Sequence, residues 1–464
     1  MKKIKGSIAL IILAVSWVAL YWLTGSRTPW NNTYFNSDAD VVSVHLGDIP
    51  SANYDRMGFT KAVVEYSEKA DGWIVGTERG ELFLFDNRGR QMWKRSLGIG
   101  KMISLAISND GATAFVGEQS PEGKIYAVDA VTGDIKWQRK GTDYVGAEPS
   151  KRSYPAVVHL AVDEADNVYA NIYRYVMNKD SSRLYVGRTV SINSNGEERW
   201  RFPAEENLDS WVNWCDVSKA QKNVVLSTSV YESRSTLKYG DTMYFLDKEN
   251  GKMLNSVFVK EVPPFENTVM RGSPNFSADG NYLAAACSDG RAFLFDGGGK
   301  ELWMRIISKP TQVDSVWINA SGRDGYVTEH GVLFTTINTF NRENWQLPTP
   351  IEHPGDNSIF MFALSGEFKY QYRAEGTIEK VSFTDKLLAG AVGRNVRTHN
   401  YKAHGAFALE LDTGKLLRSY VTEGPVQAIA ISKDGSRMAG VETPAVTPQG
   451  NVIGAHRLHI WNTR

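Results

Sequence analysis

Four histidines are the first residues to weigh for chemistry. His399 and His404 stand five apart, with His353 and His456 in segments on either side, and clustered imidazoles are common metal ligands. A spacing of five fits no regular ligand pattern, so the histidines are expected to be solvated loop residues. Asp86, Asp129, Asp247 and Asp296 are the next candidates, because carboxylates carry general acid–base work. Each closes a short apolar run and precedes a glycine, and that repetition marks them as turn formers. Asp-Gly pairs such as Asp110-Gly111 lack the alternating Asp/Asn ladder of a calcium loop. Cys215 and Cys287 lie in apolar strand-like runs and are read as buried free thiols. No nucleophile–base pair or phosphate loop stands out, so no catalytic residue, metal ligand or cofactor is expected.

The elements that would position any site are repetitive. A β-rich run ending in Asp, a glycine turn, and a second run ending in Trp recur along the chain. Examples are Leu82–Asp86, Gly89 and Trp93, then Ile125–Asp129, Gly133 and Trp137. Further copies centre on Gly196 with Trp200, Gly251 with Leu254, Gly299 with Trp303, Gly366 with Tyr370, and Gly414 with Leu417. Successive turn glycines are 44, 63, 55, 48, 67 and 48 residues apart, the period of a four-stranded blade with insertions. Apolar pairs joined by Asp-Gly turns, as at Ile103–Gly111 and Ala428–Gly435, supply the two inner strands of a blade. Trp93, Trp137, Trp200 and Trp303 are expected to fill the wedges between blades. Seven complete sets run from about Thr60 to Tyr420, and an eighth starts at Val426 and ends at Trp461 without its outer strand. The run Ala39–Leu46 is the one strand left over. An all-β, eight-bladed β-propeller closed by this N-terminal strand follows.

Ahead of the propeller (39–464) the sequence changes in kind. Lys2, Lys3 and Lys5 precede an uncharged apolar run, Ser7–Gly25, which as a helix covers roughly 28 Å, about one hydrocarbon core. The basic near side places residues 1–6 in the cytoplasm, 7–25 as a single transmembrane signal anchor, and 26–38 as a linker. The propeller then lies on the extracytoplasmic side of the cell (inner) membrane. A cleaved signal peptide is the rival reading, although no A-x-A-like site follows the run and Leu23–Ser26 is a poor substitute. The chain's 52 basic and 52 acidic residues cancel, which argues against a nucleic-acid partner.

Ala127–Trp137, with Asp129, Gly133 and Trp137, resembles the tryptophan-docking repeat of PQQ-like, quinoprotein-type propellers, and Ala408–Leu417 is similar without the Trp. The resemblance spans about residues 39–464 and implies an eight-bladed fold. That superfamily holds pyrroloquinoline quinone (PQQ) dehydrogenases and also non-enzymatic assembly scaffolds of the BamB type. The enzymes' adjacent cysteine pair is missing here, and so is the lipid-anchor cysteine of the BamB type. The expectation is therefore not an enzyme.

Insertions collect in segments that open on one rim of such a ring, including 173–183, 231–240 and 393–404. Their polar-aromatic pieces hold Tyr173, Arg174, Tyr175, Arg234, Lys238, Tyr239, Arg394, Arg397, His399 and Tyr401, residue types favoured at protein interfaces. These are the candidate partner-binding residues of a membrane-anchored scaffold or sensor for another exported or membrane protein. A small molecule of PQQ type in the axial funnel is one alternative. An accessory subunit of a membrane transporter is another.

Overall fold

The computed structural model describes residues 41–48, 62–98, 100–147, 154–177, 183–229, 238–265, 268–342, 347, 349–393, 404–447 and 449–464. The expected anchor and linker lie outside them, and no helix among the described residues is long and apolar enough to cross a membrane.

Strand β1 (Val41–His45) comes first. The first antiparallel set is β2 (Val63–Ser67), β3 (Gly72–Gly76), β4 (Glu81–Asp86) and β5 (Gln91–Ser96). The second is β6 (Lys101–Ile107), β7 (Thr113–Gln119), β8 (Lys124–Asp129) and β9 (Ile135–Lys140), followed by the short helix α1 (Thr142–Val145). The third is β10 (Ala156–Val162), β11 (Val168–Met177), β12 (Arg183–Ile192) and β13 (Glu198–Phe202), bridged to the second where Ala156 pairs with Gln119. The fourth is β14 (Trp211–Val217), β15 (Asn223–Ser229), β16 (Met243–Asp247) and β17 (Met253–Val257). The fifth is β18 (Asn275–Phe276), β19 (Tyr282–Ala286), β20 (Arg291–Asp296) and β21 (Glu301–Ile306). The sixth carries an extra inner strand, β22 (Thr311–Val313), before β23 (Val316–Thr328), β24 (Gly331–Asn341), β25 (Ser358–Phe362) and β26 (Phe368–Arg373). The seventh is β27 (Ile378–Phe383), β28 (Leu387–Val392), β29 (Gly405–Glu410) and β30 (Leu416–Val421). The last holds β31 (Val426–Ile431), β32 (Arg437–Glu442) and β35 (Arg457–Asn462), with a small hairpin, β33 (Ala445–Val446) and β34 (Val452–Ile453), in between.

Strand β1 completes that last set: it pairs antiparallel with β35, Val41 opposite Trp461 and His45 opposite Arg457. The leftover N-terminal strand therefore sits where the sequence placed it. Inner strands of successive sets pack on one another, and β31 packs on β2. The sheets form a β-propeller arrangement.

The core lies between sheets. Along β4, Leu82 and Leu84 point toward the second set while Phe83 and Phe85 point back toward the last. A strand covered on both faces must be apolar at every position, which accounts for its unbroken hydrophobic run. The turn between the third and fourth strands follows the sequence reading. The Asp129 carboxylate accepts the N–H groups of Val131 and Thr132 at 3.0 and 2.9 Å, and Gly133 takes φ +74°. The bond from Thr132, ahead of that from Val131, holds this carboxyl below the usual aspartate range, as a turn former requires.

Four tryptophans lock a set to the one that follows it. Trp93 donates its indole N–H to Ala130 O (3.1 Å), Trp137 to Ser194 O (2.9 Å), Trp200 to Lys248 O (2.9 Å) and Trp303 to Leu364 O (2.9 Å). Each indole lies against the turn glycine of the following set, at Gly133, Gly196, Gly251 and Gly366. The Tyr370 hydroxyl does the same at Leu411 O (2.6 Å), against Gly414. At the closure, Val42 and Val44 of β1 occupy the corresponding place over Gly89. Sequence reasoning missed the arginine two positions after three of these tryptophans. Arg95, Arg139 and Arg305 each donate from Nε to the carbonyl of the same turn glycine.

Candidate interaction rim

In an up-and-down sheet of four strands, the second-to-third connections and the crossings between sets open on one rim. The segment read as an insertion at 173–183 proves to be strand for most of its described length. β11 and β12 have ten residues each, longer than the strands of most other sets, and pair from Val168↔Ile192 to Met177↔Arg183. This hairpin lifts side chains beyond the body of the third set.

Alternation along β11 divides the Tyr-Arg-Tyr piece between two faces. Tyr173 and Tyr175 share one face, with ring centroids 5.6 Å apart. Tyr175 meets Tyr185 across the hairpin at 4.8 Å, and Trp211 lies 5.2 Å from Tyr173 and 5.9 Å from Tyr185. Tyr173 is buried at the base of this group, while Tyr175, Tyr185 and Trp211 keep part of their surface in solvent. Arg174 faces the other way and donates to Val145 O at the end of α1, so its guanidinium serves the fold.

Lys238 and Tyr239 stand on the neighbouring fourth set. The Lys238 ammonium pairs with Glu206 and lies 5.5 Å from the Tyr239 ring, whose hydroxyl also donates to Glu206 (3.3 Å). That bond with Lys238 holds the Glu206 carboxyl below its usual range. Tyr239 packs on Phe202 and Tyr244. The segment carrying Glu206 is tied back to β12 by Arg188, which donates to Glu206 O at 2.6 Å, and by paired bonds between Gly187 and Leu208. Two groups distant in sequence thus come to adjoining sets. Arg234, Arg394, Arg397, His399 and Tyr401 lie outside the described residues.

The histidines differ from the sequence reading. His353, His404 and His456 are buried, not solvated. His353 Nε2 bonds Lys309 O (2.8 Å), His404 Nδ1 approaches Glu423 O (3.3 Å), and burial pushes the His456 imidazole down to about 4. Packing under loops hides them, and loop position alone gave no sign of it. No cluster suited to a metal occurs among the described residues.

Around the axis, inner strands bring charged groups together. Lys380 on β27 donates to Glu65 on β2 (2.9 Å), reaching past β31. Arg323 on β23 contacts Glu379 (3.2 Å) and Asp324 (3.9 Å). His159 stacks on Trp214, centroids 3.4 Å apart, and burial pushes its imidazole down to about 3. Burial pushes the Asp216 carboxyl up to about 6. The two buried cysteines stand on different sets, Cys215 in β14 and Cys287 after β19, so they do not form the adjacent pair of the quinone dehydrogenases.

Comparison with known proteins agrees with the architecture. The PQQ-like repeat family described as "Outer membrane protein assembly factor BamB" matches residues 174–336. No curated protein matches the chain. Among solved structures, BamB from Moraxella catarrhalis is similar at 13% identity and TM-score 0.51, covering 91% of this chain and 100% of that one. The computationally designed Ika8 protein is similar at 11% identity and TM-score 0.54, covering 90% and 99%. At such identities the likeness is one of fold.

Proposed function

From the premise that this chain is a PQQ-like β-propeller repeat protein, we propose that it is a non-enzymatic protein-interaction scaffold. In this reading each four-strand set is one blade, the ring has eight, and β1 closes it. Ser7–Gly25 holds the ring on the extracytoplasmic face of the cell membrane, and its partner is another exported or membrane protein. The observation that carries the reading is the lengthened β11–β12 hairpin, which presents Tyr175, Tyr185 and Trp211 as one aromatic group on the insertion-bearing rim. Large rings that keep part of their surface in solvent at low conformational cost are the usual anchors of a protein interface.

Crosslinking of the full chain in its own membrane, with identification of the attached protein, tests this. Tyr175→Ala with Tyr185→Ala is expected to abolish the crosslinked species while far-UV circular dichroism stays the same. Unaltered crosslinking by the double variant contradicts the reading. A ligand in the axial channel is the second reading, favoured by the convergence of Glu65, Arg323 and Lys380 there. A thermal shift on adding PQQ with calcium supports it.

A further inference from the structure

A second surface lies on the opposite rim, where the short turns are. A cavity of about 830 Å³ opens there between the fifth, sixth and seventh sets. Its floor is apolar, with Tyr282, Val327, Phe383 and Leu411 among the lining residues. Two large apolar residues on its border are strongly exposed, Phe368 at 55% and Leu364 at 41%. The Phe368 ring touches Phe362, centroids 5.8 Å apart, and still presents much of its surface beside the open hollow, and apolar hollows with polar borders are characteristic binding features.

The charges of the border that have no ion-pair partner among the described residues are of one sign. Glu329, Glu367 and Asp385 line it, all exposed, and none makes an ion pair among the described residues. The one lysine of the lining, Lys369, is held by Asp412 at 2.6 Å and donates to His330 O at 3.1 Å. His330 is fixed by its Nε2 contact with Asp385 O at 2.6 Å. The basic groups are thus engaged at home while carboxylates face outward. That arrangement attracts cations and repels anionic partners.

We propose that this groove seats a short polypeptide segment of a partner protein in which one or two large apolar residues are flanked by Lys or Arg. The apolar side chains fill the hollow beside Phe368, and the flanking cations reach Glu329, Glu367 and Asp385. The volume suits several side chains rather than one. The inference rests on the scaffold reading but uses the other rim, so the two fail separately.

Fluorescence anisotropy on the full chain in non-ionic detergent tests it with three labelled peptides. They are Lys-Arg-Leu-Phe-Lys-Arg, its charge-reversed form Glu-Asp-Leu-Phe-Glu-Asp, and a form with Gly-Gly replacing Leu-Phe. Saturable binding of the first alone, weakened by added salt, is the expected result. Glu329→Lys with Glu367→Lys is expected to weaken it at least about tenfold, and Phe368→Ser likewise, with melting temperatures unchanged. Equal binding of the charge-reversed peptide, or full affinity in the double charge variant, overturns the proposal. So does a dimer in sedimentation that Phe368→Ser dissociates, since a second copy then covers the hollow. Tyr175→Ala with Tyr185→Ala serves as control: loss of peptide binding there also counts against the groove.

Discussion

The contact between Trp93 and Gly133 offers a direct test of how neighbouring sheets are joined. Gly133 holds φ +74°, a region that costs a residue with a side chain about 1–2 kcal/mol. A Cβ added at Gly133 would also lie 2.8 Å from Cδ2 of the Trp93 indole, inside any permitted contact. The ring is 8% exposed and tied to Ala130 O, so it cannot swing away without giving up that bond. Forcing it aside adds an overpacking cost of about 1–3 kcal/mol. Gly133→Ala is therefore expected to destabilise the full chain by about 2–5 kcal/mol. In a Trp93→Ala background the collision vanishes and only the backbone cost of about 1–2 kcal/mol remains. Trp93→Ala by itself should cost about 3–5 kcal/mol, as for other large core truncations. Urea unfolding of the four proteins in a double-mutant cycle measures the coupling, expected at about 1–3 kcal/mol. If Gly133→Ala costs the same with and without the indole, the turn glycine is not a seat for the tryptophan and the docking argument fails.

Three further outcomes follow from the same structure. At the closing seam, His459 Nδ1 is 2.7 Å from Ser43 Oγ and its Nε2 is 2.7 Å from Glu442, whose other oxygen accepts Gly424 N–H at 2.8 Å. Glu442→Gln should cost about 1.5–3 kcal/mol and speed hydrogen exchange in β1, and unchanged exchange there would show the seam holds without it. His159 and His456 have imidazoles pushed down to about 3 and about 4, so below pH 6.5 the unfolded chain binds protons that the folded chain refuses. Stability should fall as pH drops from 6.5 toward 4, with up to about 2 kcal/mol per histidine lost by pH 5. Asp216, pushed up to about 6, acts oppositely, and its folded form gains stability as pH falls through 6 toward 4. Comparing His159→Gln with the parent in denaturant melts at pH 7 and 5 reads the histidine component, and an identical difference in both would refute it. Arg95→Met should lower stability modestly, by about 1–3 kcal/mol, through loss of its bonds to Gly133 O and Thr132 O, with melting temperature as the readout.

Much of the architecture was legible because the chain repeats its own instructions. Asp129, Gly133 and Trp137 each answer a local demand, and the demand recurs at every turn between third and fourth strands. The outer strand at Val41–His45 was legible by elimination, since one set lacked a strand and one strand lacked a set. Rim features were harder. Tyr173 and Arg174 read as loop residues because polar and aromatic types mixed without clear alternation, yet pairing with β12 makes them strand and turns Arg174 inward. The short strand β22 and the hairpin β33–β34 carry too few residues to show a period. The hollow bordered by Phe368 draws on turns from three sets spread between Ser277 and Leu411, a juxtaposition that only the packed ring creates.

Closure by β1 also fixes an order of events. The strand that leaves the ribosome earliest finds its partner, β35, only when the last residues of the chain are available, more than four hundred positions later. Until then β1 and the side of β32 that β35 will cover are open edges, with donors and acceptors ready to recruit any passing strand. The ring is therefore most vulnerable to aggregation just before completion. Trapping nascent chains truncated before Arg457 should yield species that bind chaperones and dyes for exposed apolar surface far more than the finished protein does.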